Sequence, residues 1–159
     1  MSPDQYVPAA GGLAFEDGDD HGRILVSGRA TGGRYSLMEF VVAPRPPLDN
    51  DAPAFGPHRH SDIEETFLVR SGHLRFLLAD EIIDLGAGDF VRVPAGARHG
   101  FANVSGEPVE LLVSYHPGGF EELFVRHRSD QEPPPAPLGF VEDAVRFFNS
   151  AFEDHPSVR

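Results

Sequence analysis

Short strand-like runs separated by turn residues are the feature that most limits the folds open to this 159-residue chain. Such runs occur eight times between residues 23 and 116, as RILVSG, RYSLMEFVV, ETFLVRS, HLRFLLA, EIIDL, DFVRVP, HGFANV and VELLVSYH. Gly, Pro, Asp and Asn separate them. Many short strands at close spacing are typical of a barrel or sandwich. The sequence therefore predicts one all-β domain over residues 23–116.

The segments on either side of this domain have a different character. Residues 1–22 are rich in Gly, Asp and Pro and predict a flexible N-terminal arm. Residues 117–159 predict a C-terminal tail with a turn, a short helix, the Pro-rich linker SDQEPPPAPLG and a longer amphipathic helix. The apolar positions of that last helix recur at helical spacing, at Val141, Ala144, Val145, Phe148 and Phe152. We expect it to pack on the barrel or at a dimer contact.

Composition excludes several kinds of chemistry and partner. There is no cysteine and no lysine, because all 13 basic residues are arginine, so disulfides, thiolate ligands and lysine Schiff bases are ruled out. A net charge of −12 disfavours nucleic acid and anionic membrane surfaces. The sequence shows no signal peptide and no membrane-spanning run. We therefore expect a cytoplasmic protein with no nucleic-acid or membrane partner.

Histidine and glutamate are concentrated in the stretch PHRHSDIEETFLVRSG, residues 57–72. On an extended strand His58 and His60 would point to one face, because alternate residues share a face. Glu65 begins the next run, and a third imidazole, His99, follows the turn at Pro94–Gly96. Three imidazoles and a carboxylate suit a divalent transition metal. The alternative is an ordinary polar turn, because a lone His-x-His is only weak evidence for a metal site.

The remaining polar candidates are expected to lie outside the site. Glu64 is most simply a solvent-facing neighbour of Glu65, and Arg75 and Arg92 are expected to point outwards. The other histidines are expected to be solvated or structural, and they are His21, His73, His116, His127 and His155. His116 is the least secure of these, because it ends a strand that can reach the barrel mouth.

Two spacings in the sequence resemble the motifs of the cupin superfamily. His58-x-His60-x4-Glu65-x6-Gly72 is similar to the first motif, although Gly56 is out of register with that motif's leading glycine. The second motif is matched at every position, by Gly88, Pro94, Gly96, His99 and Asn103. The tail segment PGGFE also resembles small single-domain (monocupin) proteins of the quercetin-dioxygenase-like group.

This resemblance implies a double-stranded β-helix, or jelly-roll barrel, that forms a homodimer. It implies one divalent metal per chain, Fe, Mn, Ni, Cu, Co or Zn, bound by His58, His60, Glu65 and His99. The motif glycines, proline and asparagine carry over as turn and framework positions. The short helices after the barrel belong to the C-terminal tail.

Function is left open between three hypotheses. The first is a metal-dependent dioxygenase that acts on a small aromatic, flavonol-like or enolic substrate, with Glu65 as the catalytic base. The second is a non-redox metal-dependent isomerase, cyclase or decarboxylase. The third is a small-molecule-binding protein without turnover. We expect aromatic side chains to line the substrate pocket, namely Phe67, Phe76, Phe90 and Phe101.

Overall fold

The computed structural model describes residues 5–44, 55–103 and 105–126, with the backbone alone for residues 55–57 and 126. This part of the chain holds one short helix, α1 (Glu122–Arg126), and no helix in it is long and apolar enough to span a bilayer. It also holds ten strands: β1 (Leu13–Asp17), β2 (Asp20–Val26), β3 (Ser36–Val42), β4 (Phe55–His58), β5 (Glu64–Ser71), β6 (His73–Leu78), β7 (Glu81–Gly86), β8 (Phe90–Val93), β9 (His99–Ala102) and β10 (Val109–His116).

The strands form two antiparallel sheets. The larger sheet has the order β1-β2-β3-β10-β5-β8, and the smaller has the order β4-β9-β6-β7. Strands that are neighbours in the sheets are often distant in sequence, as with β3 and β10. Such crossovers are typical of jelly-roll barrels. The prediction of an all-β double-stranded β-helix is confirmed.

The alternation of side chains along each strand determines which residues are buried in the barrel. In β3 the residues Ser36, Met38, Phe40 and Val42 are buried, and those between them are partly exposed. In β5 the same pattern buries Glu65, Phe67 and Val69. Successive strand residues face opposite sides of a sheet, so one side of each strand supplies the core. Burial of these aromatic and aliphatic side chains is the main favourable contribution to folding.

The first strand lies within residues 1–22, for which the sequence predicts a flexible arm. β1 pairs along its whole length with β2. Its Phe15 is 1% exposed, with its ring centroid 5.2 Å from that of Phe40 and 4.9 Å from that of Phe124. The run LAFED has one buried side chain and no alternation of apolar and polar residues, which is too weak a pattern to predict a strand. The Pro-rich linker and the amphipathic helix predicted for the tail lie outside the described residues.

The segment after β10 is held against the body of the barrel. The carboxylate of Glu121, 1% exposed, accepts hydrogen bonds from the backbone N–H groups of Gly28 (2.5 Å) and Gly119 (2.7 Å). The backbones of Gly28 and Gly118 are also in direct contact. This anchoring sets the position of the two phenylalanines on the segment, Phe120 and Phe124.

Gly28 offers a test of this anchoring. A Cβ atom at Gly28 would lie 2.5 Å from the carbonyl carbon of Gly118 and from the nitrogen of Gly119, both backbone atoms. We expect G28A to lower the free energy of unfolding by about 1–3 kcal/mol, as overpacking does. The matched control is G106A, because a Cβ at Gly106 meets nothing within 4 Å and should change stability by less than about 0.5 kcal/mol. Urea denaturation of both variants measures the difference, and equal midpoints would contradict the anchoring.

Candidate metal centre

Three separate parts of the chain bring His58, His60, Glu65 and His99 together. His58 ends β4 and lies directly opposite His99, the first residue of β9. His60 lies beyond the end of β4, so the expectation of one strand carrying both histidines is wrong. Its position is set by a backbone hydrogen bond, 2.6 Å long, that the N–H of Gly96 donates to its carbonyl oxygen. Gly96 itself has a φ of +80°, which favours glycine.

The four side chains converge on one point. One ligand atom from each lies within 4.8 Å of the others. Oε1 of Glu65 is 2.8 Å from Nε2 of His60 and 3.3 Å from Nε2 of His99. The imidazole centroids are 4.3 Å apart for His58 and His99, and 4.9 Å apart for His58 and His60. This is the cluster that the motif spacing predicts.

Burial and charge act in opposite directions on the pKa values of this cluster. Burial alone would raise the pKa of Glu65, but the neighbouring His60 and His99 lower it to about 2. Burial alone would lower the pKa of His99, but the Glu65 carboxylate outweighs it, and the pKa is raised. Glu65 is therefore anionic over the ordinary pH range, and a negative charge lies inside an otherwise apolar barrel.

The donor set fits a metal ion. Oε1 of Glu65 and Nε2 of His99 are fully buried, and neither makes a hydrogen bond of normal geometry. Buried polar atoms left in this way call for an explanation, and an ion is a common one. Nδ1 of His99 lies 3.0 Å from the carbonyl oxygen of Ala97, so a proton on Nδ1 leaves the lone pair of Nε2 free to bind metal. The cluster is compatible with one metal ion held by imidazole nitrogen and carboxylate oxygen.

An apolar cavity opens beside the four residues. The cavity encloses about 430 Å³ when the open space at its mouth is included. The part of it that can hold the centre of a water molecule is about 30 Å³. That interior would hold roughly two waters. Besides the four cluster residues, the described side chains that line it are Phe40, Phe67, Phe101, Val113, Tyr115, Phe120 and Phe124.

Two of the four predicted pocket phenylalanines, Phe67 and Phe101, line this cavity. Phe76 is fully buried and lies behind them, with its ring stacked on those of His99 and Phe101. The prediction for Phe90 is wrong, because its side chain is 58% exposed. In β8 the residues Val91 and Val93 take the inner face, so Phe90 and Arg92 are turned outwards.

Sequence reasoning missed most of the cavity wall. Tyr115 and Val113 share the inner face of β10, and strand alternation would have found both. Phe120 and Phe124 come from the segment after the barrel, where no periodic pattern predicts an inward position. The ring of Phe120 lies edge-on to His60, with centroids 4.7 Å apart. Burial raises the pKa of Tyr115 well above its ordinary value, and the carboxylates of Glu65 and Glu121 raise it further.

The other polar candidates lie outside the cavity. Glu64 pairs with Arg92, which holds the pKa of the Glu64 carboxyl below its ordinary value. Arg75 is bound to Asp84 at 3.1 Å on the surface. His116 is exposed, with Nε2 2.9 Å from the hydroxyl of Ser114. His127 and His155 lie outside the described residues.

Known proteins resemble this chain in fold. Residues 48–115 match the family model of the cupin domain. A double-stranded β-helix protein from Klebsiella pneumoniae is 20% identical over 75% of this chain and 90% of that chain, with a TM-score of 0.51. A predicted oxalate decarboxylase from Thermotoga maritima is 18% identical over 62% and 80%, with a TM-score of 0.54. A sugar phosphate isomerase of the cupin superfamily from Silicibacter pomeroyi is 23% identical over 61% and 59%, with a TM-score of 0.50. No curated protein sequence matches the chain significantly.

Residues 48–115 are therefore similar to a cupin domain, and the strands of the described residues adopt the cupin fold. At identities of 18–23% the similar structures establish the fold alone. The finer resemblance to the quercetin-dioxygenase-like group stays a prediction.

Loss of either fully buried histidine should empty the centre of metal. We expect H60A and H99A to fold but to lose the bound metal, because each removes one of four ligands. H21A is the matched control, since His21 is exposed on β2 and far in sequence from the cluster. Elemental analysis of each purified protein, with circular dichroism as a check on folding, measures the effect. Undiminished metal content in both H60A and H99A would contradict the site.

Proposed function

We propose that this protein is a metal-dependent dioxygenase that acts on a compact enolic or hydroxyaromatic molecule. The observation that carries the proposal is the cluster of partly buried His58 with buried His60, Glu65 and His99, which opens into a cavity walled by aromatic rings. Four protein ligands leave coordination positions free in five- or six-fold geometry, as a catalytic metal requires. A redox-active metal bound there would supply the activation of O₂ and of the substrate together.

The side chains have separate tasks in this proposal. His58, His60 and His99 hold the metal through neutral imidazole nitrogens. Glu65 supplies a carboxylate at the centre that can take the proton of a substrate hydroxyl as the substrate anion binds. The phenylalanine rings around the cluster exclude water and accept a flat apolar body, which restricts side reactions with solvent.

The charge of the cavity supports an apolar substrate. Among the described side chains that line it, no arginine is present, and the cluster histidines are the only groups that can carry positive charge. Arg75 and Arg92, which could have bound an anion, are engaged at the surface. A phosphorylated sugar needs cationic or strong hydrogen-bond donors around its phosphate. The lining therefore disfavours a sugar phosphate as substrate.

The size of the cavity supports a compact substrate. The interior wide enough for water measures about 30 Å³, whereas pockets for drug-sized ligands measure about 300–1,000 Å³. A flavonol would require Phe120 and Phe124 to move away from the cluster. A small diketone or hydroxyaromatic molecule would require a smaller displacement, so we place such molecules ahead of flavonols.

A non-redox reaction is the second candidate, supported by the pairing of an ionised carboxylate with a neutral phenol beside the centre. Glu65 and Tyr115 lie opposite each other on neighbouring strands. A metal such as zinc could hold an enolate there while a proton moves, as an isomerase or decarboxylase requires. Such a reaction consumes no O₂, which distinguishes it from the first proposal.

Oxygen uptake separates the two candidates. We expect iron-, nickel- or manganese-loaded protein to consume O₂ with at least one member of a panel of 1,3-diketones, hydroxyaromatics and flavonols. Chelator-treated protein is the control, and an oxygen electrode measures the rate. Uptake no faster than that control with every member of the panel would refute the dioxygenase. Anaerobic loss of a substrate with zinc-loaded protein would support the second candidate instead.

The role of Glu65 can be tested by removing its charge while keeping its shape. We expect E65Q to retain part of the metal, because the amide oxygen can still bind, and to lose about 10²-fold or more in rate, as removal of a general base does. Metal content and turnover of the best substrate are measured together. E64Q is the matched control, since Glu64 pairs with Arg92 on the outer face. Full activity in E65Q would remove the catalytic role of this carboxylate.

A further inference from the structure

Tyr115 has a distinctive place in the cavity wall. Apart from His58, His60, Glu65 and His99, the described side chains that line the cavity are hydrocarbon, with the phenol of Tyr115 as the exception. A substrate oxygen that lies off the metal therefore meets one side-chain donor on this wall. Phenol O–H groups both donate and accept hydrogen bonds.

The strand register sets Tyr115 beside the cluster. Tyr115 in β10 lies directly opposite Glu65 in β5, and both side chains are on the inner face. Residues opposed in this way have Cβ atoms about 4.5–5.5 Å apart. The phenol ring packs against Phe120, with centroids 4.7 Å apart and ring planes tilted by 34°. The position of the Tyr115 side chain is therefore set by strand pairing on one side and by the segment after β10 on the other.

The phenol group of Tyr115 is part of the cavity wall. Tyr115 is 5% exposed, and its side chain lines the cavity beside the cluster. A group in this position can offer its O–H to a molecule bound in the cavity. Ser36 in β3 lies opposite Tyr115 on its other flank, and the Ser36 hydroxyl is fully buried without a hydrogen bond. Ser36 does not line the cavity, whereas Tyr115 does.

We propose that Tyr115 donates a hydrogen bond to an oxygen atom of the substrate held at the metal centre, and so orients it. This role rests on the proposed function, since it requires a metal at the cluster. A ligand that both binds the metal and accepts the hydrogen bond of Tyr115 carries two adjacent oxygens, one of them anionic, on a compact apolar body. The phenol stabilises the anionic oxygen without adding the net charge that an arginine would bring.

The test uses zinc-loaded protein and acetohydroxamate, a small anion with two adjacent oxygens that binds metals. Isothermal titration calorimetry compares wild type with Y115F, which removes the hydroxyl, and with S36A, which removes the neighbouring buried hydroxyl. We expect Y115F to weaken binding about tenfold or more, as loss of a hydrogen bond to a charged group does. S36A should bind as wild type does. Zinc content and melting temperature are measured for all three to show that each variant is folded and loaded.

A spectroscopic measurement reports the contact directly. The chain has three tyrosines and no tryptophan, and Tyr6 and Tyr35 are 65% and 39% exposed. Acetohydroxamate should shift the near-ultraviolet tyrosine band of wild type and of Y35F, but not that of Y115F. Equal affinity of wild type and Y115F, or a shift that persists in Y115F, would overturn the role of Tyr115 alone. If the protein takes up no zinc, both the proposed function and the role of Tyr115 are overturned. If zinc-loaded wild type does not bind acetohydroxamate, the role of Tyr115 is overturned.

Discussion

Glu65 is an ionised carboxylate at 2% exposure inside an apolar barrel, and much of the centre's arrangement follows from it. Burying an unpaired charge is costly, so a carboxylate in such a place needs compensating partners. The imidazoles of His60 and His99 supply them at 2.8 and 3.3 Å. His60 is near Glu65 in sequence but His99 is distant, so both the turn at Gly96 and the pairing of β4 with β9 are needed to complete this compensation. A bound divalent cation would satisfy it more fully.

The segment after β10, which carries Phe120 and Phe124, narrows the cavity beside the centre. Glu121 and the Gly28–Gly118 contact hold the segment in place, and Phe120 and Phe124 then close one side of the cavity. The anchor is made of hydrogen bonds from backbone N–H groups to the buried Glu121 carboxylate, together with close packing between glycines. The two rings therefore narrow the cavity beside the cluster, and the proposed preference for compact molecules rests on them.

Local patterns predicted the parts of the site that depend on spacing. The motif spacing predicts Glu65 rather than Glu64 at the site, and the structure buries Glu65 and pairs Glu64 with Arg92 at the surface. The prediction for Phe90 conflicts with that for Arg92, because the two residues share one face of β8 and an outward Arg92 turns Phe90 outwards too. In β8 two valines took the inside. The strand around Phe15 has no alternating apolar pattern, and for that reason the sequence does not predict it.

The sequence by itself determined the all-β class and the positions of the strands within residues 23–116 other than β4, and its resemblance to two family motifs indicated the four cluster residues. The strands follow from short-range periodicity and turn residues, whereas the cluster residues follow from the motif spacing. The tertiary structure decided which faces are buried, where His60 lies after β4 ends, and which aromatic rings wall the cavity. It also placed Tyr115 opposite Glu65. These outcomes depend on strand pairing and on packing between residues far apart in the chain, and no local pattern of side chains carries that information.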